Sequence, residues 1–311
     1  MKRSILLTTA TAVAALSLAA CGATSDPTAP PAAGGGGGST ASSGGAGGAI
    51  VVGSADFSES QVLGEIYAGA LKAKGVTVST KPNIGSRDVY LKALQDGSID
   101  IVPEYTGSLL TFLKGTPPTP DSDAVFATLK TTLPATLVVL NKSAAEDKNS
   151  IVVTKDTASK LSLKSIADLA AHQADITMAA PPEFQTRQQG LVGLKSDYGF
   201  TPAKFLPLKG AAIVNALTNN QAQAANIFST DPSISSNGFV TLADPKLIFG
   251  SDNIVPLVRK DKVNDTITSA LNAVSAKIDT PTLTDLVKQV DVDKKDASAV
   301  AKDFLSKNGL G

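Results

Sequence analysis

The chain has 311 residues, with 28 basic and 28 acidic side chains, one histidine, one cysteine and no tryptophan. Balanced charge without a basic stripe excludes nucleic acid as a partner class, and a single cysteine excludes an internal disulfide. The length beyond the first fifty residues exceeds one ordinary hydrophobic core, so two lobes are expected.

Lys2 and Arg3 open the chain, and an apolar run rich in Ala and Leu follows over 5–20. The run is too short to span a bilayer and ends in Leu18-Ala19-Ala20-Cys21, so 1–20 reads as an export signal closed by the lipobox of bacterial lipoproteins. The motif implies lipid on Cys21 and a place on the extracytoplasmic face of the cell membrane. Residues 21–48 are Gly, Ser, Ala, Thr and Pro with almost no apolar surface, which makes them a tether rather than a folded element. Its reach is roughly 30 Å, from about 5–6 Å × √n. No strand precedes the run Gly34 to Gly38 and no Lys-Ser/Thr follows it, so it is not a phosphate loop.

Residues 49–53 read as a strand and 57–74 as a helix. Ser58 and Gln61 have capping-box spacing, and Val62, Leu63, Ile66, Tyr67, Ala70 and Leu71 share one face. Gly75 ends that helix, and 76–80 alternates as a strand. A second helix starts at Ser86, carries Val89, Tyr90, Ala93 and Leu94, and stops near Gly97; 99–102 is the next strand. Strand–helix–strand order with short links predicts an α/β fold with a largely parallel sheet. The pattern recurs: a helix over 163–170 opened by Ser165, a strand at 176–180, a helix holding 214–218, and strands at 222–228 and 253–259. Two helices, 265–278 and 296–307, finish the chain. No apolar run after the export signal is long enough to span a membrane.

One spacing repeats. Ala93-Leu94 precedes Tyr105 by twelve and eleven residues, and Ala216-Leu217 precedes Phe228 by the same two intervals. Each aromatic follows a strand and opens a Thr-bearing turn. Ligands of parallel α/β sheets sit at the carboxyl ends of the strands, so two similar lobes facing one another would set Tyr105 and Phe228 across one cleft.

The run Val52 to Gln61 (VGSADFSESQ), with Asn83-Ile84-Gly85-Ser86-Arg87 and Pro103-Glu104-Tyr105-Thr106-Gly107, resembles the opening of the glycine betaine/choline/carnitine solute-binding proteins of ABC importers. Pro182-Glu183-Phe184-Gln185-Thr186-Arg187 and Phe228-Ser229-Thr230-Asp231 match later blocks of that family in the same order, so the resemblance spans about 49–310. It implies a bilobal α/β, periplasmic-binding-protein-like fold of type II, a Venus flytrap with two lobes joined by a two-crossing hinge. The crossings would lie near 149–154 and 252–255. Lobe 1 would hold 49–150 plus 253–311, and lobe 2 would hold 151–252. The implied partners are a small-molecule ligand and the permease and ATPase subunits of the importer, with the binding protein monomeric and no cofactor or metal. Genes for a permease and an ATPase beside this one would separate a transport receptor from a transporter-independent sensor built on the same clamshell.

A quaternary ammonium ion donates no N–H hydrogen bond and must be held by dispersion and by the faces of aromatic rings. Family members build that cage mostly from Tyr. Tyr105 matches a cage position, and Phe228 stands where relatives often carry Tyr, keeping the ring without the hydroxyl. Phe57, Phe184 and Phe205 are the further candidates, each of which could equally be core. With four Tyr and ten Phe in the chain the cage is sparse, which leaves room for an aromatic or polyhydroxylated ligand instead. Arg187 is a candidate for a bidentate fork on a ligand carboxylate. Thr106, Ser54 and Ser229 could donate hydrogen bonds or cap turns. Asp231 could cap the next segment or face a cation. Tyr67, Tyr90 and Tyr198 read as packing residues.

Catalysis finds no footing. His172 lies in a polar stretch, and no Gly-x-Ser-x-Gly elbow, His-Glu-x-x-His or cysteine–histidine pairing occurs. Asp100 and Glu104 read as a strand end beside a polar turn.

Overall fold

Short β-branched runs build two separate five-stranded sheets in the computed structural model, which describes residues 49–115 and 119–311. The expected export signal, lipobox cysteine and tether lie outside the described residues. The first sheet contains β1 (Ile50–Gly53), β2 (Val78–Lys81), β3 (Ile101–Tyr105) and β4 (Leu137–Val139). The second contains β5 (Asn149–Val153), β6 (Thr177–Ala180), β7 (Lys204–Pro207), β8 (Ala224–Phe228) and β9 (Val240–Thr241). The chain then returns to the first sheet as β10 (Ile254–Arg259).

The two sheets repeat one plan. Their orders are β2-β1-β3-β10-β4 and β7-β6-β8-β5-β9. In each, three strands run parallel, and a strand arriving from the other lobe then pairs antiparallel with the third. Tyr105 pairs with Ile254 and Phe228 with Asn149, so each aromatic ends a strand beside a lobe crossing. The repeat of the Ala-Leu spacing thus has a structural counterpart.

The central strands bury both faces. Ile151 and Val153 enter one core of the second lobe and Val152 the other; Met178 and Ala180 flank Ala179 in the same way. Strands buried on both faces have near-continuous apolar sequence, and helices must cover them. In the first lobe α1 (Ser58–Ala73) packs on one face, and α2 (Arg87–Gln95), α3 (Thr106–Lys114) and α4 (Ser122–Thr132) supply the other. The second lobe uses the short helices α5 (Lys155–Lys160), α6 (Gly193–Tyr198), α7 (Ala211–Thr218) and α8 (Ser233–Ser236). The last three, α9 (Asp265–Ser275), α10 (Thr280–Asp291) and α11 (Ala297–Lys307), all pack against α1 and so belong to the first lobe. Leu63, Ile66 and Leu71 of α1 are fully buried there, each contributing about 1.5–3 kcal/mol by leaving water. No helix among the described residues is long and apolar enough to cross a membrane.

The chain passes from the first sheet to the second within 140–148 and back within 242–253, and in these crossings Glu146 and Asn253 form an antiparallel bridge and the Asp147 N–H donates to the Asp252 carbonyl at 3.0 Å. The family resemblance implies a first crossing near 149–154. Of these, 149–153 are β5, in which Ile151, Val152 and Val153 have a core to fill on each side, and Thr154 caps α5. Three local expectations also change. Phe57 stands at the N-terminus of α1 with no side-chain cap, and Ser60 Oγ accepts from the Ala55 N–H at 2.9 Å in place of a Ser58–Gln61 box. The helix read at 163–170 is a 3-10 helix, Ile166–Asp175, with its capping box on Ser165 and Asp168. The helix α10 went unread, its first turn carrying Pro281.

Candidate functional site

The turns that leave the carboxyl ends of both sheets converge on one cleft of about 430 Å³, within the 300–1,000 Å³ of small-molecule sites. Lobe 1 supplies the β1–α1 turn with Phe57 and Glu59, Arg87 and Tyr90 from α2, and Tyr105 from the end of β3. Lobe 2 supplies Glu183, Phe184 and Arg187 after β6, Lys209 after β7, and Phe228, Thr230 and Asp231 after β8. Asp147 and Asp252 of the two crossings close the floor.

Three rings meet there. Phe57 lies 6.1 Å from Tyr105 and 5.2 Å from Phe228 between ring centroids, tilted by 35° in each case. Tyr105 and Phe228 therefore do face one cleft from opposite lobes, with Phe57 between them. Phe184 also lines the cleft, although most of it is core of lobe 2.

Polar groups fix the walls. Glu104 is fully buried and accepts two bonds from the Arg87 guanidinium, at 2.8 and 3.0 Å, one from the Tyr90 hydroxyl at 2.6 Å and one from the Tyr105 N–H at 2.8 Å. A buried carboxylate is tolerated when its lone pairs are used and a cation is paired to it. Tyr90, read as packing, is thus a bracket for the wall carrying Tyr105. The Tyr105 hydroxyl donates to Glu59 Oε1 at 2.7 Å. Across the cleft mouth Lys209 of lobe 2 pairs with Asp56 of lobe 1.

Arg187 is different. Its nearest carboxylate is Glu183 at 4.0 Å, and its Nη2 is buried with no hydrogen-bond partner among the described residues. Burial, with the positive charge of Arg87 facing it, pushes its pKa below the usual arginine value. A guanidinium in that state has N–H donors and charge to give to an anion in the cleft.

The remaining sequence candidates fall elsewhere. Thr106 is fully buried, and its hydroxyl accepts from the Asn253 N–H at 3.0 Å, tying the start of α3 to the second crossing. Ser54 is buried, accepting from the Asn83 N–H and donating to the Ala55 carbonyl, each at 3.1 Å. Ser229 accepts from the Lys148 N–H at 2.9 Å. Phe205 packs on the core of lobe 2 and does not line the cleft. Asp231 does line it, while accepting from the Ser233 N–H at 2.8 Å as a turn cap. Sequence reading missed Glu59, Asp147 and Lys209 as cleft residues. Of these, Glu59 lies within the Val52–Gln61 block, and the other two lie in runs without any motif.

The model of the substrate binding domain of ABC-type glycine betaine transport systems matches residues 48–307. The glycine betaine-binding protein YehZ of Escherichia coli is 29% identical over 281 residues, covering 84% of this chain and 90% of that protein. The ergothioneine transport permease/ergothioneine binding protein EgtU of Helicobacter pylori is 27% identical over 266 residues, covering 84% of this chain and 48% of that protein. Among solved structures, a glycine betaine/carnitine/choline ABC transporter chain superposes with a TM-score of 0.66 at 23% identity, covering 84% of this chain and 99% of the other.

Proposed function

Because the chain belongs to the family of substrate-binding domains of ABC-type glycine betaine transport systems, we propose that its cleft captures a small betaine, with a trimethylammonium group on the rings of Phe57, Tyr105 and Phe228 and a carboxylate on Arg187. The observation that carries this reading is the triad of rings drawn from both lobes, 5.2 and 6.1 Å apart. A methylated cation can be desolvated only where π faces replace its water. The unspent Arg187 donor supports a zwitterion over a plain cation such as choline, since a carboxylate would satisfy it. Relatives named for glycine betaine and for ergothioneine fit the same chemistry, both ligands being trimethylammonium betaines. The lobes close on the ligand about the paired crossings, and the closed protein delivers it to a permease driven by an ATPase.

Calorimetry with glycine betaine, carnitine, ergothioneine and choline tests the reading, with small-angle scattering on the same mixtures. The betaines are expected to bind more tightly than choline and to lower the radius of gyration. A protein that ignores all four, or binds without any change in radius, does not work as described. The anchor on Cys21 is part of the same reading and rests on the Leu-Ala-Ala-Cys motif. Radiolabelled palmitate is expected in the membrane-bound wild type and not in Cys21→Ala; equal fractionation of both without label would remove the anchor.

A further inference from the structure

Beneath the rings, the lobes are joined by a chain of oxygen atoms. Thr230 Oγ1, of lobe 2, lies 2.7 Å from Glu59 Oε2 of lobe 1 and 2.9 Å from Asp147 Oδ1 of the first crossing. A hydroxyl has one proton to donate. It satisfies one of these carboxyl oxygens, and the second contact is a full hydrogen bond only if that carboxyl is itself protonated and donates to the threonine oxygen. Asp147 Oδ1 already accepts from the Thr230 N–H at 3.2 Å and the Ser229 hydroxyl at 3.3 Å. Glu59 Oε1 already accepts from Tyr105. Asp147 Oδ2 has no hydrogen-bond partner among the described residues.

Both groups are buried, with 4% and 2% of their surface exposed. Around them are Tyr105 from β3, Ser229 and Thr230 from the turn after β8, and Asp252 from the second crossing. Asp252 adds further negative charge, held by the Gly107 and Ser108 N–H groups at the start of α3. Among the described residues neither carboxyl has a salt-bridge partner: Arg87 is taken by Glu104 and Lys148 by Glu146. Two ionised carboxylates without a cation in a dry site repel one another, and one holds its proton instead.

We propose that Glu59 and Asp147 share one proton through Thr230, that this chain of hydrogen bonds is the latch fastening lobe 1 to lobe 2 and to the crossing, and that Glu59 is thereby a positioning residue for the Tyr105 ring. The latch rests on the geometry alone; its bearing on the ligand, through Tyr105, rests on the betaine reading above. Burial pushes Glu59 up to about 7 and Asp147 well above the usual carboxylate range, the latter also by the charge of Glu59. A carboxyl raised on folding keeps its proton in the folded state while the unfolded chain has lost it. Its contribution is complete below about pH 4.5 and is lost as pH rises through about 7. The latch is therefore firm in acid and loosens in alkali, where two carboxylates compete for one hydroxyl proton.

The test uses the full chain without any ligand, so it can fail while the betaine reading stands. Carboxyl carbon NMR with labelled glutamate follows the five glutamates from pH 4 to 8. One signal is expected to titrate near neutrality and to vanish in Glu59→Gln. In parallel, urea unfolding at each pH gives the folding equilibrium constant. For each proton the folded state retains, it falls roughly tenfold per pH unit through the window. Glu59→Gln, whose amide keeps an acceptor for Tyr105 and a donor for the Thr230 oxygen, should remove about one such factor of ten. Asp252, which burial raises to about 7, contributes to both proteins alike, so the difference between their slopes is what is read. Asp147→Asn should flatten the slope in the same way. Glutamate signals that all titrate below pH 5.5, or variants with the wild-type slope, would overturn the proposal. Should both variants fail to fold, the wild-type titration alone decides.

Discussion

Phe57 owes its place to the turn that leads from β1 into α1, and Tyr105 and Phe228 to being the last residues of β3 and β8. A residue there leaves the sheet and faces whatever the opposite lobe presents. Each ring over a desolvated cation is worth up to about 2 kcal/mol, and about 1.4 kcal/mol is a factor of ten. Tyr105→Ala and Phe228→Ala are each expected to weaken glycine betaine roughly ten- to thirtyfold in calorimetry. Phe228→Tyr keeps the face and should bind at least as well as wild type. If both alanine variants bind like wild type, the rings are not the cation site. The same scale shows why part of the site was illegible. Ser54 and Thr106 carry the same hydroxyl chemistry as a ligand contact, yet Asn83 and Asn253 occupy them. Glu59, by contrast, reads as an ordinary acidic residue in the first turn of a helix. Nothing near it in the chain marks the partners it meets 46, 88 and 171 positions away, at Tyr105, Asp147 and Thr230.

At the scale of elements, Arg187 depends on an irregular stretch. The 3-10 turn Pro182–Gln185 leads into the wide turn Gln188–Val192, in which Gln189 and Gly190 leave helical geometry. Gly190 passes so close to the preceding turn that a Cβ there would sit 2.1 Å from the Phe184 carbonyl oxygen. Backbone cannot be displaced as a side-chain tip can, so Gly190→Ala must shift the segment holding Phe184, Arg187 and Gln189. The expected outcome is a loss of betaine affinity together with a lower denaturation midpoint. Unchanged values of both would mean that the segment adapts. The regular elements were easier to read, because α1, with its apolar residues on one face, and β6, apolar and buried from Met178 to Ala180, match the periods of helix and buried strand. β5 gives a weaker signal, its five residues being apolar only from Ile151 on and standing next to a polar run.

Across the whole molecule, contacts of unequal weight hold the lobes together. The Asp56–Lys209 pair is more than half exposed on the lysine side and is worth no more than about 1 kcal/mol after screening. The Glu59–Thr230 bond is buried and counts for more. The order of residues along the chain was enough to show an α/β protein in two repeats, with an aromatic at the same strand end of each, and enough to resemble its family. Periodicity and motif blocks are local, and local patterns decide which segments become strands and helices. The pairing of the crossings at Glu146 and Asn253, and the meeting of Glu59, Asp147 and Thr230, are contacts between segments far apart in sequence. Such contacts exist only once the chain has folded back on itself, and the charge state of buried carboxyl groups follows from the low dielectric and the neighbours that folding creates.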